Sequence, residues 1–364
     1  MSNFDHQRLV LAGPIEVRKE ILEAQNQWMI GHRGKAFEVL YASLQAKLKQ
    51  IFFTENSIYA IATSGTGFWE AAVRNCVRDD KKVLHFTSGA FSERWAVISK
   101  ANGKQVDIVT AEWGQAITPE MVADALSKDT YDAVCIVHNE TSTTVTNPIK
   151  DISDIVRQCD DTLFMVDTVS GLAGIEFYTD DWGVDVALTS SQKAFALPPG
   201  IAFCAVSERA RQRADAVPYR GYYFDFLSLE KSHQKNSTPS TPPVSLMYAA
   251  DKQLTDILDE GIENRWARHI KLRDMTHEWA ANNGFGLFAA DGYNSPTITA
   301  IDNREVGIDV NAMAAFMADR GFSMDKGYGK IKGDTFRIGH MGDMSLDFLQ
   351  EVLDGLSEFV TVKA

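Results

Sequence analysis

The chain is short of the features that would mark it for a special environment. It has 4 cysteines in 364 residues, Cys76, Cys135, Cys159 and Cys204, far apart and forming no CxxC pair. Three of them sit in apolar runs. That excludes a disulfide-stapled scaffold and points to reduced, buried thiols. No apolar run approaches the roughly 20 residues needed to span a bilayer. The start, Met1-Ser2-Asn3-Phe4-Asp5-His6, lacks the basic residues and apolar block of a secretory signal, and Val362-Lys363-Ala364 is no familiar address signal. A cytoplasmic location is expected. Positive charge is also scarce: 36 Lys and Arg face 49 Asp and Glu, a net charge of −13. An acidic surface argues against nucleic acid and anionic membranes as partners. It leaves room for a small anionic substrate, because local positive charge in a cleft can oppose the global sign.

Strand and helix signals alternate through the first two thirds. Strands are expected at Ile58–Ala62, Val83–Phe86, Val106–Val109, Ala133–Val137, Leu163–Asp167, Val184–Leu188 and Ile201–Val206. Helices are expected at Phe68–Val77 and Ser92–Ala101. Ala133–Val137 is continuously apolar, as a strand buried on both faces should be. Such units imply an α/β fold with a mostly parallel central sheet covered by helices. Ser237-Thr238-Pro239-Ser240-Thr241-Pro242-Pro243 is rigid and non-helical. Beyond it the pattern predicts one long helix, Ser245–Asn282, strands at Thr297–Ile301 and Thr335–Ile338, and helices at Val310–Arg320 and Leu346–Val360. The expected organisation is an N-terminal segment 1–20 packed on the small domain, a large domain 21–245 and a smaller α+β domain 246–364.

Parallel sheets bind ligands at the carboxyl ends of their strands, and four polar clusters fall at such ends. In Thr63-Ser64-Gly65-Thr66-Gly67, glycines let the backbone approach a phosphate and the first helical amides point at it; the plain alternative is a capped glycine turn. The turn is neither a Walker loop nor GxGxxG. His138-Asn139-Glu140-Thr141-Ser142-Thr143-Thr144 places several hydrogen-bonding side chains at a strand end, where they are expensive unless they face a ligand or water. Asp167 closes an apolar strand and needs a cationic or N–H partner; a structural ion pair would also satisfy it. In Ser190-Ser191-Gln192-Lys193, the lysine lies among apolar residues with no acidic neighbour within six positions. Its ammonium should be disfavoured, as an amine nucleophile requires. Together these supply what pyridoxal 5′-phosphate (PLP) chemistry requires: a phosphate cradle, a carboxylate for the pyridine nitrogen, hydroxyls for the ring oxygen and a Schiff-base lysine.

On these motifs, from Ala12-Gly13-Pro14 to Phe336-Arg337-Ile338-Gly339-His340-Met341-Gly342-Asp343, the sequence resembles a class V aminotransferase of PLP fold type I. It is most similar to the alanine–glyoxylate and serine–glyoxylate branch, with phosphoserine aminotransferases as relatives. The resemblance implies that Ser64, Gly65 and Thr66 bind the phosphate, that Phe91 stacks on the pyridine ring and that Thr141 lies near the ring oxygen. It implies that Asp167 partners the ring nitrogen and that Gln192 and Lys193 form the Gln-Lys pair. Thr238 and Thr241 match residues reaching the phosphate of a neighbouring subunit's cofactor, which implies a homodimer. Arg337 matches the arginine that grips the substrate α-carboxylate, a role suited to its planar fork. The chain departs from the family where Ala12 stands for proline and Thr144 for glycine; the latter is expected to narrow the pocket.

The activity implied is amino transfer between serine or alanine and glyoxylate or pyruvate. The alternative is phosphoserine with 2-oxoglutarate, on the strength of Arg33 in His32-Arg33-Gly34-Lys35. A lyase of the cysteine desulfurase type would need a cysteine beyond Cys204 and usually a histidine where Phe91 stands. A non-catalytic binding module would be expected to lack Lys193 or Asp167.

Overall fold

The computed structural model describes residues 6–363. Its centre is a seven-stranded sheet: β1 (Ser57–Ile61), β2 (Lys82–Thr87), β3 (Gln105–Thr110), β4 (Ala133–Val137), β5 (Leu163–Asp167), β6 (Val186–Ser190) and β7 (Ala202–Val206), in the order β1-β7-β6-β5-β4-β2-β3. Strand β7 runs antiparallel to both its neighbours, and the other pairings are parallel. The mostly parallel α/β fold is therefore as the pattern implied. Only the strand expected at Val184–Leu188 is displaced, beginning two residues later.

Side chains alternate between two cores. Ile58 and Ala60 of β1, with Val134 and Ile136 of β4, face one apolar cluster; Tyr59, Ile61, Ala133 and Cys135 face the other. Every residue of β1 and of β4 to β7 is buried. This explains why these strands read as apolar runs rather than as half-polar alternation. Edge strand β3 is only partly buried: Val106 and Val109 pack on the two cores while Gln105 and Ile108 are exposed. Cys76, Cys135 and Cys204 are free and buried, and burial pushes their thiols well above the ordinary range.

A large helix, Lys35–Phe52, went unnamed in the sequence pattern, although Phe37, Tyr41, Leu44, Leu48 and Ile51 repeat at helical spacing and are all buried. The long helix expected at Ser245–Asn282 is two helices, Val244–Glu260 and Ile262–Asn282, parted at Gly261, whose φ is +82°. The first packs Met247, Ala250, Leu254 and Ile257 into the core of the large sheet. The second carries Leu272 and Trp279 into a separate core with Ile301, Phe336, Leu349 and Leu356. We therefore propose that the small domain begins within Ile262–Asn282, later than residue 246. It holds an antiparallel sheet of Gly286–Leu287, Ile298–Asp302 and Thr335–Gly339. Arg8–Val10 pairs in parallel with Phe322–Met324, bringing the N-terminal segment against it. Among the described residues no helix is long and apolar enough to cross a membrane.

Candidate active site

Because β1, β2, β4, β5 and β6 point the same way, the loops that follow them share one edge of the sheet. A cavity of about 330 Å³ opens there, lined by Ser64, Gly65, Thr66, Phe91, Thr141, Asp167, Gln192 and Lys193, with Gly13 and Pro14 beside the lysine. Eight of the expected site residues thus meet in one place.

Each is held by its own local structure. Ser64 is the N-cap of the helix Gly65–Cys76, so the helix begins at the cavity wall, where its first amides have no intrahelical acceptor. A side chain at Gly65 would meet Val169 Cγ2 at 2.6 Å, so only glycine lets this helix start so close to the β5 loop. Phe91 lies in the first turn of the helix Ala90–Ala101, which is fixed by buried Glu140. That carboxylate accepts from the Ser92 amide at 2.9 Å, from Ser92 Oγ at 2.9 Å and from Ser142 Oγ at 2.6 Å. Thr141 Oγ1 donates to Ser170 Oγ at 2.8 Å.

Asp167 is 3% exposed. It accepts from Trp69 Nε1 at 2.6 Å and from the Val169 amide at 2.6 Å. Burial pushes its carboxyl up to about 7, against the lowering effect of those two bonds. Among the described residues no cation pairs with it. Lys193 shows the converse. Burial, together with the charge of Arg337, lowers its ammonium to about 8 against the opposing charges of Asp325 and Asp167. Its Nζ donates to the Ala12 carbonyl. A side chain at Gly13, where φ is +121°, would fall 2.5 Å from that Nζ. A third signal is Ser190 Oγ, buried on the cavity wall with no hydrogen-bond partner.

These observations test the cofactor. An unpaired buried carboxylate asks for a cationic N–H, an orphaned hydroxyl and free helix amides ask for an oxyanion, and a lysine whose ammonium is disfavoured by burial asks for an aldehyde. PLP offers a protonated ring nitrogen, a phosphate and an aldehyde. The residues present fit it.

Other expected residues stand elsewhere. Arg337 is buried behind Thr141, donating to its carbonyl at 2.8 Å, and does not line the cavity. Arg33 is exposed and donates to the carbonyls of Thr238 and Pro239 at 3.0 and 3.1 Å. Thr238 and Thr241 line a small separate hollow beside Ala62 and Tyr223. Within one chain, then, neither Arg33 nor these threonines reach Lys193. Thr144 does not narrow the pocket. It is buried away from it with φ +59°, the left-handed region glycine adopts freely, and it is held by bonds from its amide to the Glu140 carbonyl at 2.7 Å and from the Ala300 amide to its Oγ1 at 3.2 Å. Trp69, Ser190, Arg94 and Asp325 were not foreseen. Trp69 and Ser190 lie in or beside the motifs and could have been suspected; Arg94 and Asp325 lie outside them.

Comparison with known proteins agrees. The family model described as aminotransferase class-V matches residues 17–329. The chain is 39% identical to an uncharacterised aminotransferase of Methanocaldococcus jannaschii, over 92% of this chain and 87% of that one. It is 32% identical to a serine–glyoxylate aminotransferase of Arabidopsis thaliana (93% and 86%) and 31% identical to an L-aspartate–glyoxylate aminotransferase of Paracoccus denitrificans (93% and 87%). The crystal structure of an alanine–glyoxylate aminotransferase from Nostoc sp. superposes with a TM-score of 0.92 at 29% identity, covering 99% of this chain and 96% of that one.

Proposed function

Because the chain belongs to the class V aminotransferase family, we propose that it moves an amino group between serine or alanine and glyoxylate or pyruvate, in a ping-pong cycle on PLP. The family membership makes it a PLP-dependent aminotransferase, and its relatives make amino acid–glyoxylate transamination the general reaction. The observation that carries the reading is the meeting of unpaired Asp167 and weakly basic Lys193 in one cavity.

When bound, PLP supplies an electron sink for the carbanion left by loss of the α-proton. Asp167 would hold the proton on the ring nitrogen, and Trp69 keeps the carboxylate aimed. Ser64, Gly65 and Thr66, with Ser190, would hold the phosphate, and Phe91 would stack on the ring. Lys193, near 8, exists in appreciable part as free amine at neutral pH, so Nζ can act as nucleophile and then accept and return the α-proton. Arg337 would draw the substrate carboxylate toward the cavity wall. Thr238 and Thr241, which line a separate hollow in their own chain, would serve the site of a second copy, making a homodimer with shared sites.

Phosphoserine with 2-oxoglutarate is the second reading. Arg33 would have to meet the phosphate, yet its fork is held by the 238–239 carbonyls, so serine or alanine is preferred. Turnover of serine, alanine and phosphoserine, each with glyoxylate, pyruvate and 2-oxoglutarate, tests this. Serine or alanine with glyoxylate or pyruvate should lead. Phosphoserine leading would reverse the order, and no transamination with any pair would end the proposal.

A further inference from the structure

Arg337 does not present a free cation. Its Nε and Nη2 donate to the two oxygens of Asp325 at 3.0 and 2.7 Å, while Nη1 donates to the Thr141 carbonyl. The side chains are 5% and 12% exposed. Asp325 is anchored from other sides as well. Its Oδ1 accepts from the Gly327 amide at 2.9 Å, its Oδ2 from the Ala12 amide at 3.4 Å, and its backbone carbonyl from the Arg337 amide at 3.2 Å. A carboxylate bonded in this way belongs to the frame and does not swing aside for a substrate. A guanidinium has five N–H donors, so one on Nη1 and one on Nη2 remain. A substrate carboxylate drawn toward the cavity wall would meet those two donors, and the charge it meets would be that of an ion pair.

The surroundings do not restore the missing charge. Ala12 links the pair to the reacting centre, its amide toward Asp325 and its carbonyl toward Lys193 Nζ. Glu140 and Asp167 are buried nearby, and no salt bridge joins either to a cation among the described residues. The guanidinium that does line the cavity, Arg94, is exposed, and its Nη2 donates to Tyr328 Oη at 2.7 Å.

We propose that Asp325 sets the charge selectivity of the substrate pocket: it neutralises Arg337, and so admits amino acids with one carboxylate and an uncharged side chain while rejecting dicarboxylic ones. A second carboxylate near Asp325 would meet a like charge where screening is weak, and Arg94, the other guanidinium at the cavity, is exposed to solvent, where its attraction is screened. The inference rests on the transaminase reading, and it separates this chain from relatives that take aspartate.

The test uses the holoenzyme and its Asp325→Asn and Asp325→Ala variants. In the wild type, kcat/KM for alanine or serine should exceed that for aspartate by at least tenfold. In both variants that ratio should fall at least tenfold, chiefly through KM for aspartate. An equal loss on all donors would mark Asp325 as merely structural and overturn the proposal, as would a wild type that uses aspartate as well as alanine. Thermal shifts of the wild-type holoenzyme with propionate and with succinate need no turnover and no variant. Propionate should stabilise and succinate should not; equal stabilisation overturns the proposal. If no amino acid is turned over but propionate alone stabilises, it is the transaminase reading that fails.

Discussion

Asp167 is a residue whose chemistry is set by burial. A carboxyl raised to about 7 in the fold and near 4 in the unfolded chain holds its proton longer when folded. Between those values the folded state binds the extra proton, so stability falls as pH rises. For the cofactor-free protein the loss from pH 4 to 7 should be on the order of 4 kcal/mol, measured as a denaturant midpoint against pH. Asp167→Asn should flatten that slope, and bound cofactor should suppress it by pairing the carboxylate. An equal slope in wild type and variant would place the titration elsewhere. At the same scale, Lys193→Ala should reduce turnover by at least the roughly 10²–10⁴-fold of a lost proton-transfer group, and borohydride treatment should no longer fix cofactor to the chain. Normal turnover would remove Lys193 from the mechanism.

Among the elements, the turn at Gly261 decides most. Its φ of +82° lets Val244–Glu260 stay in the large core while Ile262–Asn282 crosses to the small one. An L-residue there is strained by roughly 1–3 kcal/mol. Gly261→Ala should therefore lower the melting temperature while leaving cofactor absorbance intact at low temperature; an unchanged melt would show that the turn relaxes. The sequence pattern ran straight through this point, because a lone glycine in a helical stretch is tolerated often enough to be overlooked. Helix Lys35–Phe52 was equally legible by its spacing, but its polar neighbours drew no motif. Strand ends are legible because buried parallel strands leave long apolar words with polar letters at their carboxyl ends.

At the scale of the whole molecule, the threonines that face away from Lys193 make a prediction. If Thr238 and Thr241 complete the site of a second copy, a Lys193→Ala chain and a Thr238→Ala/Thr241→Ala chain should each be impaired alone. Refolded together they should regain activity, because a mixed dimer contains one intact site. No regain, with mixed dimers shown by mass spectrometry, would mean that each chain builds its site unaided.

The sequence by itself determined the α/β sheet, the order of its strands along the chain, and the meeting of Ser64, Thr141, Asp167 and Lys193. Each of these follows from rules that act over a few residues: burial of apolar strands, loops at their carboxyl ends, and lysine and aspartate stranded among apolar neighbours. Only the tertiary structure decided the electrostatic state of the site. Trp69 reaches Asp167 across 98 residues of chain, Arg337 reaches Thr141 across 196, and Ala12 reaches Lys193 across 181. The Asp325–Arg337 pair spans only 12 residues, yet its effect depends on being closed off from water by segments distant in sequence. Charge interactions depend on distance and burial, and neither is written in local spacing.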